Sequence, residues 1–146
     1  MFIWFRDSIL VTAILSWFVA QLLKMIFVLI RDKKLDFYRM VGSGGMPSSH
    51  SAFVVSLAVS VGLKEGFSSS LFAVSVVMAL IVMYDAAGVR RAAGQQAKLL
   101  NQLVEKWETD DIENRGQKLK ELLGHTPVEV FAGAVLGALI GIIRHM

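Results

Sequence analysis

Ser8–Ile30 reads SILVTAILSWFVAQLLKMIFVLI, and one charged side chain, Lys24, interrupts it. A bilayer hydrocarbon core of ~30 Å takes about 20 residues of helix, so the segment is long enough to cross. The flank Met1–Asp7 lacks a basic cluster, and no small-residue cleavage site follows the apolar run. It therefore reads as a retained membrane helix and not as a cleaved signal peptide.

The rest of the chain agrees. Its 146 residues are 55% hydrophobic and 18% charged, with a mean hydropathy of +0.58. Soluble domains average about 25% charged residues. This composition excludes a disordered chain and a typical soluble enzyme, and the absence of cysteine excludes a disulfide scaffold. Three further apolar stretches follow. Ser51–Leu63 is short for a span and crosses only if Pro47–His50 supply its first turn; the others are Leu71–Tyr84 and Val128–Ile143. In the last, Gly133, Gly137 and Gly141 recur every fourth residue, which puts small residues on one helix face for close packing. The expected architecture is all-α: an integral membrane helical bundle of about four spans, one domain over residues 1–146, with a cytosolic helical extension. That extension lies in 85–124, where Leu99, Leu103, Val104 and Trp107 share a face. It reads as the third helix running on out of the membrane. Glu108–Gly116 reads as a solvated turn, and Gln117–Leu123 as a short helix stopped by Gly124. The glycine face is also one through which a second copy of the chain could pack.

The net charge of +3 and pI near 9.4 are read as topology, with no nucleic-acid partner. Eleven of the fifteen basic residues fall in two connections, 31–47 and 85–127. Basic residues mark the cytoplasmic side, so both connections are expected inside and both termini outside, in a bacterial cell membrane or an organelle membrane of a eukaryote.

Three polar clusters stand out against this background. Lys24 lies within a span, where a charge costs about 2.5–3.5 kcal/mol on insertion scales. Snorkelling to the nearby cytoplasmic end is the plain explanation; the functional one is an inward-facing cation meeting an anion, with Arg31 seven residues on, near the same face. Gly42–Ser51, GSGGMPSSHS, is a glycine- and serine-rich turn delivered to a helix start, a natural anion site. A flexible loop with a serine cap accounts for everything there except His50. In Gly124–Glu129, Thr126, Pro127 and Glu129 form a capping box with proline at the first helical position. Capping alone suffices for Glu129 but leaves His125 without a role. The charge rule puts all three clusters on one membrane face. Cations and a helix N-terminus bind phosphate, and two histidines offer a nucleophile and a proton donor. Phosphoryl transfer needs chiefly positioning and charge neutralisation.

Lys24-x6-Arg31, Pro47-Ser48-Ser49-His50 and His125-x3-Glu129 resemble the three motifs of the type-2 phosphatidic acid phosphatase superfamily, which includes the vanadium haloperoxidases. The longer stretches GGMPSSHSA (44–52), IVMYDAAGVRRAAGQQAKLLNQ (81–102) and VFAGAVLGALIG (130–141) are similar to its small divergent bacterial and plant branch, over nearly the whole chain. The resemblance implies a metal-independent, cofactor-free membrane phosphatase or phosphotransferase acting on a phosphate or pyrophosphate ester, lipid-linked or otherwise small. By position, His125 would attack phosphorus and carry a phosphohistidine, Glu129 would orient it, and His50 would protonate the leaving oxygen. Lys24, Arg31 and the Ser48 and Ser49 amides would hold phosphate oxygens. The chain departs from the pattern at four places: Asp32 stands for proline, Ser49 for glycine, Glu129 for aspartate, and Lys118-Leu119 for the Ser-Arg pair ahead of the nucleophile. Arg90, Arg91, Lys118 or Lys120 would have to replace the missing arginine. The alternative is a catalytically degenerate membrane protein that binds phosphate-bearing lipids or partners. A transporter using Lys24 and Asp85 as intramembrane charges is a weaker third reading, since four short spans show no inverted repeat.

Overall fold

A computed structural model describes residues 8–32, 45–107, 119 and 124–146. Among them lie five helices and no strand: α1 (Ile9–Asp32), α2 (Ser49–Glu65), α3 (Ser70–Ala87), α4 (Val89–Trp107) and α5 (Pro127–His145). The protein is an all-α membrane helical bundle. Helix α1, helix α5 and the segment Ser70–Val104 are long and apolar enough to cross a membrane. The shorter α2, ~26 Å at 1.5 Å per residue, packs against α1, α3 and α5 and forms the centre. It starts at Ser49, with Ser48 as its cap, so His50 falls in its first turn.

The bundle is apolar outside and small or hydroxylic inside. The fully buried side chains are Thr12, Ser16, Ser48, Ser51, Ser56 and Ser60, beside Ala13, Ala20 and Ala52, whereas Phe18, Phe27, Leu71, Ile81 and Phe131 are exposed. Lipid tails solvate large apolar side chains as well as a protein core does, so helices associate through small residues that let backbones approach and hydroxyls that bond across. The Ser16 hydroxyl donates to the Ala52 carbonyl at 3.0 Å, joining α1 to α2. At the end away from the functional cluster, Thr12 Oγ1 meets His145 Nε2 at 3.2 Å, tying α1 to the end of α5.

Two expectations are corrected here. The glycine face of α5 is a packing face, but its partner is α2 of the same chain, so it is not open to a second copy. A Cβ on Gly133 would strike the Ser48 carbonyl oxygen, one on Gly137 the Ala52 carbonyl, and one on Gly141 the Val59 side chain at 3.0 Å. Nor does the third helix run on unbroken. Gly88 interrupts it at φ −106°, ψ −80°, although Gly88 N–H still donates to the Tyr84 carbonyl and Ala92 N–H to the Gly88 carbonyl. A side chain at 88 would press on the Tyr84 carbonyl, which explains why the break falls at glycine. The amphipathic segment is therefore a separate helix, α4. The turn read at Glu108–Gly116 lies outside the described residues, as does the short helix at Gln117–Leu123 apart from Leu119.

Candidate functional site

Alternating helix directions bring the end of α1, the start of α2, the α3–α4 junction and the start of α5 to one end of the bundle. Local sequence fixes each piece. Ser48 caps α2 by accepting from Ser51 N–H. Thr126 caps α5: its hydroxyl accepts from Glu129 N–H at 3.3 Å, Glu129 Oε2 accepts from Thr126 N–H at 2.8 Å, and Pro127 opens the helix. Two long-range bonds lock the pieces together. Ser48 N–H donates to the Glu129 carbonyl at 3.0 Å, and His125 N–H donates to the Ala86 carbonyl at 2.9 Å.

This scaffold sets the His50 and His125 rings edge to face, their centroids 6.2 Å apart at 71°. His50 is exposed. His125 is 3% exposed, and its Nδ1 is buried without a hydrogen-bond partner. Lys24 and Arg90 lie within charge-interaction range of both rings, with Asp85 near His50 and Glu129 near His125. Lys24 is 4% exposed and lies directly under Gly45. With φ at +94°, Gly45 approaches so closely that a Cβ there would sit 2.8 Å from Lys24 Cε. The plain snorkelling explanation of Lys24 is thus replaced by an enclosed cation beneath the glycine turn. Arg90 Nε donates to Asp85 Oδ2 at 2.6 Å, across the Gly88 break.

Burial is the main force on His125 and pushes its pKa below the ordinary histidine value. The Glu129 charge opposes this, and Lys24, His50 and Arg90 add to it. The ring is thereby held neutral, with a lone pair available at neutral pH.

The structure unites Lys24, His50, His125, Glu129 and Arg90. It revises two roles the motifs imply. The Ser48 amide does not face a ligand, because the Glu129 carbonyl takes its hydrogen, while its hydroxyl accepts from the Ser51 hydroxyl. Ser48 is a structural cap, and Ser49, in the first turn, is buried at 4% exposure. The orienting hydrogen bond expected from Glu129 to His125 is not made: the capping box places the Glu129 carboxylate on Thr126 N–H, so Glu129 acts on His125 through charge. The Arg31 side chain, Lys118 and Lys120 lie outside the described residues. Three positions take parts in the site that the motifs do not give them. Asp85 holds Arg90; its signal was the five-residue spacing to an arginine across a glycine. Gly45 covers Lys24, signalled by the Gly44-Gly45 pair. The Ala86 carbonyl anchors His125 and left no signal, since any residue carries a carbonyl.

The sequence pattern of the divergent PAP2 family matches residues 5–140. The chain belongs to that family. The Bacillus subtilis (strain 168) uncharacterized membrane protein YuiD is 43% identical, over 92% of this chain and 91% of its own length. No solved structure matches. Every residue of the cluster, from Lys24 to Glu129, falls inside the divergent PAP2 match. Among the described residues no group of three His, Cys, Asp or Glu side chains is placed to hold a metal ion.

Proposed function

We propose that this divergent PAP2 protein hydrolyses a phosphate or pyrophosphate ester, lipid-linked, through a phosphohistidine at His125. The observation that carries the reading is the pair of histidine rings 6.2 Å apart, with Lys24 and Arg90 in range of both. Reacting groups must come within ~3–3.5 Å, and at this separation both rings reach one phosphoryl group. A neutral His125 nitrogen donates its lone pair to phosphorus and the P–O ester bond breaks. Burial, Arg90 and Lys24 lower the His50 pKa and Asp85 raises it; in its protonated fraction, His50 gives its proton to the leaving oxygen. Water then attacks the phosphoryl group as the P–N bond breaks, and His50 takes the water's proton. Inorganic phosphate leaves and both rings are restored. Lys24 and Arg90 neutralise phosphate charge throughout. Because His125 is almost fully buried, substrate entry requires the side chains around it to rearrange.

The test is phosphate release by detergent-purified protein from a panel of lipid phosphates and pyrophosphates. The reading fails if no member is turned over.

Two further outcomes follow. Asp85 leaves the remaining guanidinium N–H groups of Arg90 for a ligand. Hydrogen bonds to charged groups contribute about 1.5–3 kcal/mol, so Arg90→Ala should raise KM about ten- to a hundredfold. Asp85→Asn, which releases the aim of Arg90 while keeping its charge, should raise KM less and leave kcat nearly unchanged. Steady-state kinetics on both variants check this. The second outcome concerns pH. A lowered His125 pKa keeps the nucleophile neutral below the ordinary value of about 6.5, so the acid limb of kcat/KM should lie under pH 6.5. The same sign governs stability. The unfolded chain binds the proton more readily than the fold, so His125 contributes a stability loss as pH falls through about 6.5 and below. Activity and thermal unfolding between pH 4.5 and 8 measure both.

The basic connections favour a cytoplasmic site. The chain has no cysteine, so single cysteines report sidedness cleanly. In intact cells a membrane-impermeant maleimide should label Ser68→Cys, between α2 and α3, and spare Lys98→Cys on α4. The reverse pattern would place the site outside.

A second reading is supported by the unpartnered Nδ1 of His125 and the absence of the third-motif arginine: a degenerate site that binds phosphate groups without turnover. Saturable binding of a lipid phosphate with no phosphate release would favour it.

A further inference from the structure

Helix α4 packs the wrong edge for a soluble helix. At ~100° per residue, Gly94, Ala97 and Asn101 share one edge, and that edge is covered. Gly94 and Ala97 are buried. The Asn101 amide donates to the Leu119 carbonyl at 2.9 Å and accepts from Leu119 N–H at 3.0 Å. Gly124 closes on the Arg90–Arg91 backbone, where a Cβ would clash. The apolar face, by contrast, is left open. Leu99, Leu100, Leu103 and Val104 lie within an arc of ~140°. All four are exposed, Leu99 at 61% and Leu103 at 49%. On the opposite side Arg91 and Lys98 lie within ~20° of each other, and residues 89–104 carry no acidic side chain.

We infer that α4 lies in the membrane interface, its apolar face in the boundary between headgroups and acyl chains and its basic face toward anionic headgroups. Two observations choose lipid as the occupant. Only Gly88 separates α4 from α3, whose Leu80, Ile81 and Tyr84 are exposed on a segment long and apolar enough to cross a membrane, and exposed Val89 continues that surface. The charge pattern is that of an interfacial helix, basic on the polar face with apolar side chains opposite. This role is independent of any catalysis. It also fixes the position of Arg90, in the first turn of the same helix, relative to the bilayer surface.

The test uses single cysteines at 98, 99, 102, 103 and 104, each carrying a nitroxide. The full-length protein is placed in phosphatidylcholine vesicles with and without 30% phosphatidylglycerol, and collision with oxygen is compared with collision with a water-soluble nickel chelate. With phosphatidylglycerol, labels at 99, 103 and 104 should favour oxygen, at depths of ~5–10 Å, and those at 98 and 102 should favour nickel. Without it, the depths should decrease. Nickel access at all five positions would overturn the inference. So would labels at 99 and 103 shielded from both reagents, which would mean that protein covers the face, whether a second copy or another part of this chain. Because these side chains are exposed, five separate sites keep the result readable if one variant folds poorly.

Discussion

His125→Ala should abolish phosphate release, lowering kcat by at least about a thousandfold, while the protein stays folded. His125 is the buried member of the ring pair, and burial keeps it neutral. Losing a covalent nucleophile leaves only binding and charge stabilisation, which supply a small residual rate. The fold should survive, because the bond anchoring this segment, His125 N–H to the Ala86 carbonyl, belongs to the backbone. The substitution also removes the unpartnered Nδ1, so stability should hold or rise slightly. Near-normal turnover in this variant would exclude the phosphohistidine route. His50→Ala should slow turnover of substrates with poor leaving groups far more than those with good ones, because a proton donor matters most where the departing oxygen is basic.

Gly137→Leu should collapse the bundle. The Cβ alone meets the Ala52 carbonyl oxygen, and backbone at a helix–helix contact cannot swing aside as a side chain does. Overpacking a soluble core costs about 1–3 kcal/mol. Here the cost should exceed that range, because α5 must separate from the central helix. The loss would reach the site, since the bond between Ser48 N–H and the Glu129 carbonyl depends on the same contact. Gly133→Ala should act similarly through the Ser48 carbonyl. Leu139→Val, on the exposed face of α5, should be nearly neutral. Size-exclusion profiles and thermal unfolding in detergent distinguish these outcomes.

Much of this arrangement is legible in the sequence, for physical reasons that also mark where legibility stops. Apolar length gives the membrane helices, and the four-residue glycine spacing gives a packing face. That spacing does not name the partner, and α2 and a second copy of the chain present the same kind of surface to it. Thr126-Pro127-x-Glu129 gives the capping box outright, because caps are local. The competing use of Glu129, orienting His125, failed for the same reason: one carboxylate geometry excluded the other. The convergence of Lys24, His50 and His125 at one end followed from charge and span counting alone. The bond of Ser48 to Glu129 and the seat of Gly45 on Lys24 depend on how helices register against one another, which one-dimensional periodicity does not encode. An acid such as Asp85 in an anion-binding region calls for a cation partner, but only the helix geometry around Gly88 names it as Arg90.

A phosphohistidine at His125 can be trapped and seen. Purified protein is mixed with a lipid-like aryl phosphate, quenched in base, where phosphohistidine survives, and analysed by peptide mass spectrometry. Phosphate on His125 in the wild type, more of it in His50→Ala and none in His125→Ala is the predicted result. Turnover without label at position 125, or label on another residue, would contradict it.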